Sequence, residues 1–308
     1  MYSIFLGLTP FIFITLFGFV FGKLKIFDLS HAKVLNLFLF YVAVPALIIK
    51  FVAQSEIGQV DIRQIVSYFL MQGSLGLLTF LLTSKFFKRP IPESIIWALM
   101  VALSNHVTLL LPITKIYFGT EVITQVTSII LMDGVVLLSV IAFFLELTTK
   151  KNIRLTQFIK NIILNPMIFS ILIGLLLFLL KINIDDTPID YVLSVLAACV
   201  SPIGLFAIGI TLSFYTSKVF NKLTASISLL KLVVSPIILL IIGFVLFNAG
   251  QPEKIPGAFF VSVAPCGHTA VVLCSAYNVS PENIIKALFI STFASFATIF
   301  FAIQYLTT

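Results

Sequence analysis

Ser104-Asn105-His106-Val107-Thr108-Leu109-Leu110-Leu111-Pro112 places a proline and several polar side chains at the centre of a stretch otherwise apolar enough to cross a bilayer. Ala264-Pro265-Cys266-Gly267-His268-Thr269 does the same in the equivalent place of the second half. In hydrocarbon an unpaired backbone group costs several kcal/mol, so unwound backbone persists only where protein or a wet cavity satisfies it. Two such breaks at corresponding places in two halves are the sequence signature of a carrier's binding site.

The surrounding sequence agrees. The chain is 60% hydrophobic and only 10% charged, with 32 Phe and a mean hydropathy of +1.16; soluble domains carry about 25% charged residues. An all-α polytopic membrane protein is therefore expected, with lipid-facing surface accounting for most of the Phe, Leu and Ile. Tyr2 to Gly22 lacks a basic leader and a small-residue cleavage site, and reads as a retained span. Cys199, Cys266 and Cys274 form no Cys-x-x-Cys pair and lie in apolar spans, as small buried residues rather than a disulfide framework.

At about 20 apolar residues per span, ten transmembrane spans are expected: 2–22, 34–54, 62–86, 93–118, 121–148, 160–181, 187–214, 222–247, 255–278 and 282–306. Thirteen of the 19 Lys and Arg residues, from Lys23 to Lys286, fall at the connections after spans 1, 3, 5, 7 and 9; the opposite connections hold Arg63, Lys181 and Lys254. The positive-inside rule then puts both termini outside. The net charge of +7 is explained by this bias and needs no nucleic-acid partner. The same topology puts the Asn278-Val279-Ser280 sequon inside. The basic connection 149–159 separates five spans from five, giving repeats 1–149 and 150–308. An odd number of spans per half makes a 5+5 inverted repeat with two broken crossover helices. Pro45 in span 2 and Pro202 in span 7 form a second corresponding pair.

The chain resembles the auxin efflux carrier family, which groups plant PIN proteins with bacterial organic-anion carriers. The likeness rests on the run Asn36 to Leu47, Asn105 followed by Pro112, Asn165-Pro166 with Gly174, Ala264-Pro265 running to Ala276-Tyr277, and Ser291-Thr292. It covers essentially the whole chain, with Val107 and Leu110 standing where that family has glycines. The resemblance implies a fold related to sodium–bile acid symporters, a scaffold from spans 1, 2, 6 and 7, and a transport unit from spans 3–5 and 8–10 that moves as an elevator.

Broken helices free N–H groups and carbonyls, and half-helix N-termini suit carboxylates. The expected substrate-binding residues are Asn105, His106, Thr108, Pro112, Pro265, Cys266, Gly267, His268 and Thr269; the alternative is that these groups only satisfy the broken helices. His106 and His268 could carry protons near neutral pH, or be neutral imidazoles bonded to backbone; His31 is expected to be solvated. Asp133 lies about 18 Å down span 5, and Lys231 about 14 Å into span 8 from the other side, at 1.5 Å per residue. In a core about 30 Å thick these depths are similar, so the two are expected as an ion pair or, for Asp133 alone, a coupling site. Lys50, Lys115 and Glu146 are near enough to span ends to snorkel.

No phosphate-binding loop, zinc-protease helix or nucleophile elbow is present in the sequence. The expectation is a non-enzymatic secondary transporter of the plasma or bacterial inner membrane, without cofactor or metal. Its expected partners are the lipid bilayer, a small organic anion such as a mono- or dicarboxylate, and a proton or sodium as coupling ion; a homodimer is left open. The rivals are a sodium-coupled symporter of the bile-acid type and, behind it, a channel.

Overall fold

The computed structural model describes residues 2–54, 61–149, 166–215, 219–248, 251–277 and 279–307. Glu56, the whole of the basic connection after residue 149, Asn165, Lys218 and Asn278 lie outside the described residues, as does the side chain of Glu146. The chain is an all-α polytopic membrane protein, with six helical stretches long and apolar enough to cross a membrane and several shorter apolar helices.

The long stretches are α1 (Tyr2–Lys23), α2 (Leu29–Phe38) running on into α3 (Val44–Ala53), and α4 (Ile62–Leu81). In the second half they are α10 (Pro188–Ala198) with α11 (Val200–Ser213), α12 (Lys222–Leu229) with α13 (Ser235–Phe247), and α16 (Glu282–Thr307). The remainder is delivered in pieces: α5 (Ile91–Ala102), α6 (Leu111–Tyr117), α7 (Thr120–Met132), α8 (Leu138–Thr149), α9 (Pro166–Leu179), α14 (Pro256–Ser262) and α15 (Thr269–Ala276). Polar residues start several helices: Asp28, Asp61, Thr187 and Asn221 each accept a backbone N–H of the following turn. His31 is more than a solvated side chain, because its Nδ1 closes a capping box with Asp28.

Three prolines shape helices without ending them. A proline has no N–H to donate and crowds the preceding turn. Before Pro45, Pro112 and Pro236 the helix widens into a π turn, at Leu39–Ala43, His106–Leu110 and Leu230–Val234. In each case the residue just before the proline (Val44, Leu111, Ser235) donates to the carbonyl five residues back. Asp133–Leu137 forms a further π turn between α7 and α8.

Glycines bring two pairs of helices into close register. An added Cβ at Gly18 of α1 would stand 2.1 Å from the Phe206 carbonyl oxygen of α11, and one at Gly209 would stand 2.1 Å from the Thr15 oxygen. Gly174 of α9 faces Val52 and the Ile49 carbonyl of α3 in the same way. Small residues at such crossings let backbones approach where lipid offers no hydrophobic drive. Elsewhere α4 packs on α5 and α13, α14 on α7, and α12 on α16.

Candidate functional site

The two sequence breaks meet in the buried interior. Ser104 and Cys266 form an isolated antiparallel bridge. The Asn105 N–H donates to the Pro265 carbonyl at 3.0 Å, and the Gly267 N–H donates to the Met100 carbonyl at 3.1 Å. The first break thus finds a backbone acceptor on the second, and the second finds one on the last turn of α5, which is the condition for unwound chain inside a membrane. Gly267 permits the approach: a Cβ there would lie 2.8 Å from the Leu103 carbonyl oxygen.

The breaks differ in where proline sits. Pro265 lies within the non-helical stretch between α14 and α15. Pro112 does not: the chain leaves helical geometry at Leu103 to Asn105, and the π turn from His106 runs straight into α6. The expectation of a helix end at Pro112 is corrected accordingly, because the π turn absorbs the proline's missing donor.

A polar cluster is built around the crossing. His106 Nε2 lies 2.8 Å from Asp133 Oδ2, and Gln72 Nε2 donates to Asp133 Oδ1 at 2.6 Å and to the Ala102 carbonyl at 3.3 Å. Lys231 Nζ donates to Ser104 Oγ at 2.7 Å, and Ser104 Oγ donates to the Val261 carbonyl at 3.0 Å. Asp133 and Lys231 are both fully buried. They are not bonded to each other; their partners, His106 and Ser104, stand two residues apart on the first break. The direct contact expected from membrane depth is replaced by two separate attachments to one segment. Among the described residues, Asn105 Nδ2, His106 Nδ1 and Thr292 Oγ1 are buried without a hydrogen-bond partner.

A cavity of about 330 Å³ reaches the first break from one side, lined by α3, α10, α11, the π turn at Val107, and α6 with Pro112 and Lys115. Gly204 of α11 approaches the break next to it: a Cβ there would meet Thr108 Cγ2 at 2.2 Å. A model of the family described as Membrane transport protein matches residues 3–303. The chain belongs to that family. No curated protein matches it at a significant level.

Within this membrane transport protein the predicted residues separate into three groups. Asn105, His106, Thr108, Pro265, Cys266 and Gly267 are buried at or beside the crossing. His268 and Thr269 are half-buried at the start of α15, where the His268 carbonyl accepts from Val271 N–H at 2.9 Å. Pro112 lines the cavity. Cys266 is held through its N–H, 3.4 Å from Ser291 Oγ, and all three cysteines are free thiols.

Sequence reasoning missed Gln72, Ser104 and Gly204. Gln72 had a signal, an amide in the middle of an apolar span. Gly204 had none, since its role depends on what faces it. Positions 107 and 110 carry Val and Leu, and close approach to this segment comes from Gly204 on the opposing helix. Lys50 does not snorkel free: its Nζ bonds Asp190 Oδ1 and Ser194 Oγ, both at 2.6 Å. Lys115 Nζ stands 4.5 Å from the centre of the Phe51 ring.

Proposed function

We propose that this membrane transport protein is a secondary carrier that moves a small organic anion, a carboxylate, across the plasma or bacterial inner membrane. The observation that carries this reading is the joined pair of breaks, with unmet polar atoms at Asn105 and His106 and a cavity arriving at Val107 and Pro112. The ten-span, 5+5 inverted repeat with both termini outside belongs to the same proposal, as do the nine substrate-binding residues. An elevator-like division is supported by packing. Most packing of α1, α3, α9, α10 and α11 is within that set, and most packing of α4, α5, α7, α12, α13, α14 and α16 within the other; the boundary is crossed by the first break on α11, by α16 on α1 and α11, and by α9 on the π turn at Asp133–Leu137.

In this reading the coupling ion is a proton. Asp133 uses one carboxylate oxygen on Gln72 and the other on His106, and Lys231 brings positive charge to the same segment. A sodium site would need several oxygen ligands free to converge, so the bile-acid type of coupling is the weaker reading. With Nε2 of His106 directed at the carboxylate, the unpartnered Nδ1 is the atom on which an arriving proton would be held.

Flux of a panel of carboxylates in proteoliposomes, under imposed pH and sodium gradients, tests the proposal. Saturable uptake driven by the pH gradient is expected. Unsaturable flux would make the protein a channel, and a strict sodium requirement would restore the symporter reading. Cysteines placed at Thr108 and Thr269 should be joined by short cross-linkers, and a cytoplasm-dependent reporter fused after Thr308 should be silent.

A further inference from the structure

We infer that Lys115 is the anion-recognition residue of the cavity beside the first break, and that it selects a cargo bearing one negative charge on an apolar body. This rests on the carrier reading for its biological meaning, but its chemistry can be tested without transport.

Two lysines line the cavity, and they are not equivalent. Lys50 is matched by Asp190 and Ser194, and Asp190 also accepts from Gln54 Nε2 at 3.3 Å. Lys115 has no carboxylate within ion-pair distance among the described residues, and its ammonium is held over the face of Phe51. The charged groups lining or bonded at the cavity, Lys50, Lys115 and Asp190, therefore leave one uncompensated positive charge. An ammonium has three N–H donors, and a single aromatic face leaves some of them free for a carboxylate.

The rest of the wall limits what can accompany that carboxylate. Most of that wall is hydrocarbon, from Leu47, Val107, Leu111 and Val200 among others, and its hydroxyls are Ser194, which accepts from Lys50, and Ser201. A second carboxylate on the same ligand would be taken out of water beside a lysine, Lys50, that Asp190 already neutralises, an unfavourable burial. The volume, about 330 Å³, is at the small end of the about 300–1,000 Å³ typical of ligand pockets. A short aliphatic or aromatic monocarboxylate matches both charge and size. Phe51 belongs to α3 and Lys115 to α6, so the contact spans two walls of the cavity, and a carboxylate taking the ammonium would loosen it.

The test is equilibrium binding to the full chain purified in detergent, by calorimetry and by shift of the thermal midpoint. The probes are hexanoate, adipate with the same number of carbons and two charges, and hexanamide with none. Wild type is compared with Lys115→Met, Lys115→Arg and Phe51→Leu. Hexanoate should bind at least about tenfold more tightly than either other probe, and Lys115→Met should lose about tenfold or more of that affinity. Lys115→Arg should retain most of it, because the charge remains, and Phe51→Leu, which keeps Lys115 intact, should still bind hexanoate. The inference is overturned if adipate binds as well as hexanoate, if wild type binds no hexanoate, or if folded Lys115→Met binds normally, in which case Lys115 only snorkels. Hexanoate that binds through Lys115 but never crosses a proteoliposome supports the inference and removes the carrier reading. Hexanoate flux that survives Lys115→Met does the opposite.

Discussion

The two breaks are partners in one crossing, yet they are finished differently. In the second, Pro265 is tied to the first break and Gly267 to the last turn of α5, Cys266 N–H faces Ser291, and the Val263 carbonyl accepts from Thr298 Oγ1 at 2.8 Å. The first carries the surplus: an unpartnered amide at Asn105, an unpartnered ring nitrogen at His106, a carboxylate from another helix, and a cavity wall at Val107. Corresponding positions in a sequence therefore need not share duties. One break can be the fixture and the other the working surface.

The largest expected effect is at the link from the first break to the π turn after α7. Asp133→Ala strands the donors of Gln72 and His106 and removes the negative charge near a buried lysine, and breaking such a buried set typically costs about 3–5 kcal/mol. Thermal unfolding in detergent should show a severe loss; wild-type stability would mean that the first break is not held by this carboxylate. Next is the fixture itself. Gly267→Ala drives a Cβ against the Leu103 backbone, an overpacking worth about 1–3 kcal/mol. Gly204→Ala meets only the Thr108 side chain, which can rotate, so it should cost less stability than Gly267→Ala while slowing flux. Equal costs would erase the proposed difference between the breaks.

A position outside both breaks calibrates the scale. Asp61 caps α4, and the hydrogen bond from the Arg63 side chain leads in holding its carboxyl below the usual carboxylate range, against the opposing effect of partial burial. Asp61→Ala should cost about 1 kcal/mol at neutral pH. Because the folded-state pKa is lowered, the stabilisation is complete above the ordinary carboxylate pKa and is lost as pH falls through the lowered value. A penalty that persists in stronger acid would show that the cap does not act through the carboxylate. The smallest stability change is expected at Asn105→Ala. It removes a buried donor that has no partner, so stability should stay within about 1 kcal/mol of wild type while carboxylate flux falls. A large destabilisation there would place Asn105 among the fixtures.

Much of this was legible in the chain because bilayers punish exceptions. A proline beside Asn and His inside an apolar span stands out from composition alone, and the membrane class and both breaks follow from it. Partner choice was less legible. Depth in the membrane matches Asp133 with Lys231, but depth along a helix does not say which way its face points, and each bonds a neighbour on the first break instead. Pro112 reads as a break because proline is a helix breaker in general, whereas the π turn that accommodates it depends on how the preceding residues can rearrange. Lys50 and Asp190 are separated by 140 residues, and only folding shows that one lysine of the cavity is answered and the other is not.

The π turns have a consequence for the angular phase of the helices that carry them. Each inserts the equivalent of one extra residue into a turn, and one residue is about 100° of rotation at 3.6 residues per turn. Lys50 and Lys115 lie a few residues beyond such turns, and Lys231 lies inside one. Deleting a single residue from Leu39–Ala43 or His106–Leu110 would restore ordinary winding and swing the lysine beyond it away from the cavity, together with its wall neighbours on the same helix, Leu47 and Phe51 or Leu111 and Pro112. Where the positive charges of this protein point is therefore set by residue count upstream of its prolines as much as by residue identity.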